Sequence, residues 1–413
     1  MSDHLKLHFT PTLRGTVNLP TSKSISNRVL MISALMPANE RPLLESLSDC
    51  DDTDAMQRAM QQYSGTVDIG AAGTAMRFGT AMYAVAPHSD VVLTGSERMR
   101  HRPIKVLTEA LKSLGADIEY AGEDGFPPLH IKGKRLEGNM LHIPANISSQ
   151  YISALLMIGP ILPHGLTLSL EGEVISRPYI NMTLDIMRSF GAEAAWKDGQ
   201  TIIVSSRKYN RTEPFIVEAD WSAASYWYSL VATMPDKNCR VALPHLWRDS
   251  VQGDSSVQKI FGNLGVKTEF TDSGIVLTKQ EFRHTPLFTR DMSEQPDLAQ
   301  TVAVCCALLG QPFSLNGLQT LRIKETDRLN ALQNELRKIG IVTQVVGDEQ
   351  LVWDGARCPA QDVPQIATYD DHRMAMAFAP AANRFDSIVI ENPEVVSKSY
   401  PHFFNDISRL CQS

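Results

Sequence analysis

Four segments of this chain repeat one plan at a nearly constant interval. A helix closes on an apolar residue and glycine, a strand follows, a polar turn comes next, and a second strand ends the unit. The segments are Leu111-Lys-Ser-Leu-Gly-Ala-Asp-Ile, Met187-Arg-Ser-Phe-Gly-Ala-Glu-Ala, Phe261-Gly-Asn-Leu-Gly-Val-Lys-Thr and Leu336-Arg-Lys-Ile-Gly-Ile-Val-Thr. Their glycines Gly115, Gly191, Gly265 and Gly340 stand 76, 74 and 75 residues apart (115 to 191, 191 to 265, 265 to 340). Glycine just past a helix supplies the left-handed conformation that ends it. The turns that follow carry Asp124-Gly125, Asp198-Gly199, Asp272-Ser-Gly274 and Gly347-Asp348, which are hairpin signals. One helix-glycine-strand joint is common in any α/β protein. Three near-equal intervals with matching hairpins mark an internal repeat.

At 413 residues the period leaves room for five to six units. Each must bury a sheet under its helices. Six units divide into two domains of three, expected at 21–219 and at 1–20 plus 220–413, with hinge crossings near 20 and 220. The polar stretch Arg207-Lys-Tyr-Asn-Arg-Thr-Glu-Pro214 breaks the pattern before the second crossing. A crossing near Pro20-Thr21 returns the first strand to the C-terminal domain.

The formal net charge of −7 argues against a general binder of nucleic acid, so any anion site must be a local cluster working against the whole. The six cysteines show no CxxC or other metal spacing. The start of the chain lacks signal-peptide or transit-peptide character. The best apolar stretch, Ile152 to Leu162, contains Gly159 and Pro160 and is too short to span a membrane. These features lead to the expectation of a cytoplasmic protein with no metal and no membrane partner.

Several expected helix starts collect anion ligands. Thr21-Ser-Lys-Ser-Ile-Ser-Asn-Arg28 precedes an apolar run, with serines to cap, Lys23 just outside the helix and Arg28 one turn in from Ser24. Gly70-Ala-Ala-Gly-Thr-Ala-Met-Arg77 opens another, where Gly73 permits close backbone approach to an anion. Ser148-Ser149-Gln150, Pro296-Asp297 and Asp370-Asp-His-Arg373 open three more. Any one of these reads as simple capping. Cations, however, are unfavourable at the positive end of a helix, and repeated placement there points to bound anions. Arg100-His-Arg102-Pro103 and Ser397-Lys398 add cations in loops. Lys324-Glu325-Thr326-Asp327-Arg328 is expected to open a further helix. There Lys324 and Arg328, four apart, would share a face with Glu325 beside them. Two cations and a carboxylate at one point suit an anionic substrate that also needs a proton moved.

The motifs Ser22-Lys-Ser-Ile-Ser-Asn-Arg28, Ala72-Gly-Thr-Ala-Met-Arg77, Arg102-Pro103, Ser148-Ser-Gln150, Ser176-Arg-Pro-Tyr179, Pro296-Asp297, Lys324-Glu-Thr-Asp-Arg328, Asp371-His-Arg-Met374 and Ser397-Lys398 run in one order along nearly the whole chain. In them the chain resembles the 5-enolpyruvylshikimate-3-phosphate synthase family of enolpyruvyl transferases. The resemblance implies two domains, each of three βαβαββ-type repeats in an inside-out α/β barrel, with the active site in the interdomain cleft. It implies transfer of the enolpyruvyl group of phosphoenolpyruvate to the 5-hydroxyl of shikimate 3-phosphate, with release of phosphate and no cofactor. The pathway is that to chorismate and aromatic amino acids, and the family is the target of glyphosate. By resemblance, Lys23, Ser24, Arg28, Ser148, Ser149, Gln150, Ser176, Tyr179, Asp297, Thr320 and Lys324 bind shikimate 3-phosphate. Lys23, Gly73, Arg102, Gln150, Arg328, Arg373 and Lys398 bind phosphoenolpyruvate. Asp297, Glu325 and Lys23 are the catalytic residues, and a monomer is expected.

That chemistry accounts for the inventory. Two phosphates and a carboxylate meeting in one place need several cations and helix N-termini to offset their repulsion. One group must accept the hydroxyl proton, and another must serve the C3 carbon in both directions. Departures from the family pattern are Ala71, Phe78, Lys105 and Thr320. They bear on substrate affinity and inhibitor sensitivity, and Ala71 and Phe78 flank the Gly73 helix start. Two alternatives share the fold. One is the transferase acting on UDP-N-acetylglucosamine, which commonly carries a cysteine in a mobile loop, whereas Gly95 to Arg102 has none. The other is a non-catalytic anion-binding homologue, against which stand Asp297, Glu325 and the motif cations.

Overall fold

Each of the four hairpin repeats builds its own four-stranded sheet in the computed structural model of the protein, which describes residues 3–411. The strands are Ser64–Asp68, Asp90–Thr94, Asp117–Tyr120 and Leu129–Lys132 in one sheet. They are Met140–Pro144, Leu166–Glu171, Ala194–Trp196 and Thr201–Val204 in the next. Arg14–Thr16, Arg240–Pro244, Val266–Thr271 and Gly274–Lys279 form the third. Phe288–Asp291, Phe313–Asn316, Gln344–Val346 and Gln350–Trp353 form the fourth. All four share one pairing. The first strand runs parallel to the second, the second lies antiparallel to the fourth, and the fourth closes the hairpin with the third. The repeat glycines Gly115, Gly191, Gly265 and Gly340 have φ of 103, 90, 84 and 87°, the positive region that ends a helix.

Two further repeats are abbreviated. Gln365–Ile366 runs parallel to Ile388–Glu391, whose other edge takes His4–Leu7 in antiparallel register. Phe215–Ile216 runs parallel to Leu44–Glu45, and there the hairpin is missing. Helix Asp51–Ala59 leads almost directly into strand Ser64–Asp68. The uniform period therefore does not extend to the N-terminal segment, which correspondingly lacks a helix-glycine-strand joint.

The chain divides into two compact units, Thr21–Val217, and Met1–Pro20 with Glu218–Ser413. Each unit carries its helices inside and its sheets outside. In the first, Gly73–Val85 packs against Lys23–Ala34 and Ser149–Ile158, and every residue of Gly73–Val85 is buried. In the second, Trp221–Thr233, Ala299–Leu309 and His372–Phe378 pack on one another. Of Trp221–Thr233 only Ser222 escapes burial. A helix that is apolar all round is stable only when surrounded. The sheets show the complementary pattern, as in the alternating burial of Leu166–Glu171, with one face covered and the other open. Among the described residues no helix is long and apolar enough to cross a membrane.

The repeat turns differ in how tightly they hold their glycines. A Cβ at Gly115 would meet nothing within 4 Å, whereas one at Gly274 (φ +148°) would lie 2.4 Å from the Leu243 carbonyl oxygen and 2.7 Å from the Pro244 Cα. Gly115→Ala is therefore expected to cost about 1–2 kcal/mol through backbone conformation alone. Gly274→Ala should cost clearly more, because backbone must also move. Urea unfolding of both variants measures the difference; equal losses would contradict it.

Candidate active site

In the unit containing the C-terminal half, Arg328 is 1% exposed and is the hub of a charged cluster. Its Nε donates to Asp371 Oδ2 at 2.6 Å, Nη1 to Asp297 Oδ1 at 2.9 Å and Nη2 to Glu325 Oε2 at 2.9 Å. Further cations hold the same carboxylates. Lys324 Nζ lies 3.3 Å from Asp297 Oδ1, Arg373 Nη2 lies 3.2 Å from Asp297 Oδ2, and Lys398 Nζ lies 3.2 Å from Glu325 Oε1. Arg373 also donates to the Asp297 backbone carbonyl at 3.2 Å. Four cations thus face three carboxylates. Burial by itself would push the Asp297 carboxyl up, but Arg373, Lys324 and Arg328 outweigh it and hold the group well below the usual carboxylate range. For Arg328 the order is similar: burial opposes its charge, and Asp371, Glu325 and Asp297 more than restore it.

Local structure explains how these groups are aimed. Asp297 lies in the short 3-10 turn Pro296–Leu298 that leads into Ala299–Leu309, and its side chain does not cap that helix. Asp371 caps His372–Phe378 by accepting from Arg373 N at 2.9 Å. Helix Arg328–Lys338 begins only at Arg328, with Asp327 as its cap. Lys324 is extended and follows the 3-10 segment Gln319–Ile323. The expected helical face joining Lys324 to Arg328 is therefore absent. The two cations converge on Asp297 because the loop turns Lys324 back, with Asp327 capping the next helix. Glu325 pairs with Arg328 and Lys398, and Lys324 reaches Asp297. Thr320 lies in the Gln319–Ile323 segment, and its buried hydroxyl meets no partner among the described residues.

The other unit gathers a second group at the starts of its core helices. Ser22 caps Lys23–Ala34, so Lys23 is the first helical residue rather than a neighbour outside it, and its Nζ lies 3.1 Å from Asp52 Oδ2. Ser148 caps Ser149–Ile158, and Gln150 Nε2 donates to Thr74 Oγ1 at 3.1 Å, which ties that start to Gly73–Val85. A Cβ at Gly73 would lie 2.8 Å from Arg102 Nη1 and 3.1 Å from Arg77 Nη1, so glycine is what lets both guanidinium groups reach this helix start. Ser176 precedes Arg177–Ser189 at φ 54° and makes no cap bond, which leaves its hydroxyl out of the helix.

Arg28 is 3% exposed, and its hydrogen-bond partners are all neutral. Nε donates to Thr183 Oγ1 at 2.8 Å, Nη1 to Ser24 O at 2.8 Å, and Nη2 to Ser153 Oγ at 3.3 Å and Tyr179 O at 3.4 Å. Burial pushes its guanidinium down to about 10, against a small upward pull from Tyr179. The ring of Phe78 lies 5.7 Å from its Cζ. Phe78 therefore bears on the buried Arg28 as well as on the Gly73 helix start that it was expected to adjust.

Asp52, Thr74 and Asp371 carried no functional expectation from the sequence. Asp371 and Thr74 sat inside motifs already singled out, and their types suit capping and hydrogen bonding. Asp52 lies in the acidic first turn of Asp51–Ala59, and nothing local ties it to Lys23. Among the described residues no group of His, Cys, Asp and Glu is placed to hold a metal ion.

A sequence model described as EPSP synthase (3-phosphoshikimate 1-carboxyvinyltransferase) matches residues 9–68 and 60–407. The two matched pieces overlap at 60–68, just after Asp51–Ala59, where the hairpin is missing. A protein of Bacteroides fragilis (strain YCH46) named 3-phosphoshikimate 1-carboxyvinyltransferase is 51% identical over 397 residues, covering 96% of this chain and 95% of that protein. One of the same name from Erwinia tasmaniensis is 34% identical over 438 residues, covering 99% of each. A solved structure of EPSP synthase from Acinetobacter baumannii superposes with a TM-score of 0.76 at 19% identity, covering 99% of this chain and 98% of that one, which is a likeness of fold. The family model spans nearly the whole chain and the first relative is half identical to it, so this protein belongs to the EPSP synthase (3-phosphoshikimate 1-carboxyvinyltransferase) family.

Proposed function

We infer that this chain transfers the enolpyruvyl group of phosphoenolpyruvate to the 5-hydroxyl of shikimate 3-phosphate, with release of phosphate. The observation that carries the reading is the pairing of Asp297 and Glu325, each clasped by cations that an anionic substrate would claim. Phosphoenolpyruvate brings a phosphate and a carboxylate for Arg328, Arg373 and Lys398. Arg102 and the Gly73 helix start serve the same substrate. Arg28, buried among neutral partners, supplies the charge for shikimate 3-phosphate, with Ser24, Ser148, Ser149, Gln150, Ser176, Tyr179, Thr320 and Lys324.

The proton inventory follows from these contacts. Asp297 is held ionised and accepts the 5-hydroxyl proton as the oxygen bonds to C2 of phosphoenolpyruvate. C3 gains a proton from Glu325, giving a tetrahedral ketal. The C2–O bond to phosphate then breaks as the proton held by Asp297 passes to the departing phosphate, and a methyl proton returns to Glu325. In the free protein Arg328 and Lys398 pair with Glu325. The substrate's own anionic groups draw those cations away, which lets Glu325 take up the proton that it must donate. Lys23 and Lys324 are the alternative carriers. The same reading places the enzyme in the cytoplasm as a monomer working on two small anions.

Asp297→Asn and Glu325→Gln should each lower kcat by roughly 10²-fold or more, as expected when a proton-transfer group is lost. Deuterium exchange into the enolpyruvyl methylene should persist only while the C3 carrier remains. Full exchange in Glu325→Gln would move that role to a lysine. Near-normal turnover in either variant would exclude that residue. The unaltered chain should turn over shikimate 3-phosphate and not UDP-N-acetylglucosamine; the reverse preference would overturn the assignment.

Phe78→Leu should raise KM for shikimate 3-phosphate about 3- to 10-fold, because a partly desolvated cation–π contact to Arg28 is worth about 1 kcal/mol. The KM for phosphoenolpyruvate should change less. Steady-state kinetics with each substrate varied would show the split, and an unchanged shikimate 3-phosphate KM would remove Phe78 from this role.

A further inference from the structure

Helix Arg328–Lys338 grips the chain ahead of His372–Phe378 at two points. Arg328 holds Asp371. Two turns on, and on the same face, is Glu335, whose side chain is fully buried. Its Oε2 accepts from Ala367 N at 3.0 Å, and its Oε1 accepts from the Tyr369 hydroxyl at 2.7 Å. Lys338 completes the grip, with Nζ 2.8 Å from Glu335 Oε2 and 2.7 Å from the Gln365 carbonyl.

Between these two points the backbone is strained. Tyr369 and Asp370 both have φ of 54°. A bulky side chain seldom adopts the left-handed region, and two such residues in succession persist only when their surroundings dictate it. On one side the dictating group is Glu335. On the other, Asn392 Nδ2 donates to Asp370 Oδ1 at 3.0 Å. Asn392 itself has φ 47° and starts the 3-10 segment Pro393–Lys398 that ends on Lys398. Three ligand-bearing segments, those of Arg328, Arg373 and Lys398, are thus joined behind the charged cluster through one strained turn.

We propose that Glu335 and Tyr369 are positioning residues for phosphoenolpyruvate. They lock the 368–371 turn, which sets where Asp371 meets Arg328 and where Arg373 reaches over Asp297. Neither residue bonds to Asp297, Glu325 or the cluster cations in the contacts described, so they act through the turn. This rests on the assignment of Arg328, Arg373 and Lys398 to phosphoenolpyruvate. If the turn relaxes, the guanidinium groups move relative to each other. The affinity for a rigid anion with a phosphate at one end and a carboxylate at the other should then suffer, while ligands of shikimate 3-phosphate in the Thr21–Val217 unit stay where they are.

The test is steady-state kinetics of the full chain with each substrate varied, on the unaltered protein, Glu335→Gln and Tyr369→Phe, with melting temperatures measured alongside. Glu335→Gln keeps the shape but replaces one acceptor oxygen by a donor, and Tyr369→Phe removes only the hydroxyl. By analogy with losses of outer-shell supports, the KM for phosphoenolpyruvate should rise about 10-fold or more in Glu335→Gln and about 3-fold in Tyr369→Phe. The KM for shikimate 3-phosphate should stay within about 2-fold, since its proposed ligands lie mostly outside the gripped segment. A purely structural role would instead lower the melting temperature and leave both KM values alone, or shift them equally, and would overturn the proposal. Should Glu335→Gln fail to fold, Tyr369→Phe decides alone: an unchanged KM for phosphoenolpyruvate sinks the idea. Absence of turnover in the unaltered chain would sink the functional reading and this inference with it, whereas turnover without the split sinks this inference only.

Discussion

The candidate chemistry hangs on the burial of one guanidinium. Arg328 is 1% exposed and takes three carboxylates from three places in the chain, Asp297, Glu325 and Asp371. A buried arginine without partners is unfavourable by several kcal/mol, and removal of one partner from such a pair typically costs about 3–5 kcal/mol. The planar fork of arginine explains why lysine would not substitute, since its directed donors serve separate acceptors. Once Arg328 is fixed, Asp297 and Glu325 are fixed with it. The remaining cations Lys324, Arg373 and Lys398 then arrange themselves on those carboxylates. Asp371 alone is wholly buried and serves as the anchor that ties this arrangement to the start of a core helix.

Arg28 shows the opposite solution. It has a similar depth of burial but hydrogen bonds to hydroxyl and carbonyl oxygens, and burial pushes its guanidinium down to about 10. One unit stores its charges as internal ion pairs; in the other, Arg28 is bonded to neutral oxygens among the described residues. Under the proposed function both arrangements would receive anions, by exchange of partners in the first case and by direct neutralisation in the second. The common platform is the repeat. It buries one core helix per repeat and presents the start of that helix, where backbone N–H groups and the helix dipole favour negative charge.

The repeat also shows which parts of the fold tolerate loss. Four copies keep identical strand order, but the copy built on Phe215–Ile216 and Leu44–Glu45 has no hairpin. Its core helix Lys23–Ala34 nonetheless carries Lys23, Ser24 and Arg28. The hairpin lies on the outside of the unit, whereas the core helix contacts its neighbours, so deletion removes cover and leaves the helix packing intact. Ile216 in that two-stranded sheet and Leu43 next to it are exposed.

The sequence by itself determined the repeat, because glycine after a helix and Asp-Gly turns are local requirements of backbone conformation. It also determined which helix starts collect cations, since capping residues and charges are read within one turn. The motif residues that resemble the family were legible for the same reason. Tertiary structure decided the partners. Nothing local indicates that Asp52 meets Lys23, that Phe78 lies under Arg28, or that Glu335 clamps the turn before Asp371, because these contacts join residues far apart in the chain. The expected helical face from Lys324 to Arg328 failed for a related reason. Spacing fixes neighbours only once a helix exists, and Asp327 starts that helix too late to include Lys324. Convergence on Asp297 came instead from electrostatic attraction within a buried cluster, which depends on burial, and burial is a property of the folded chain.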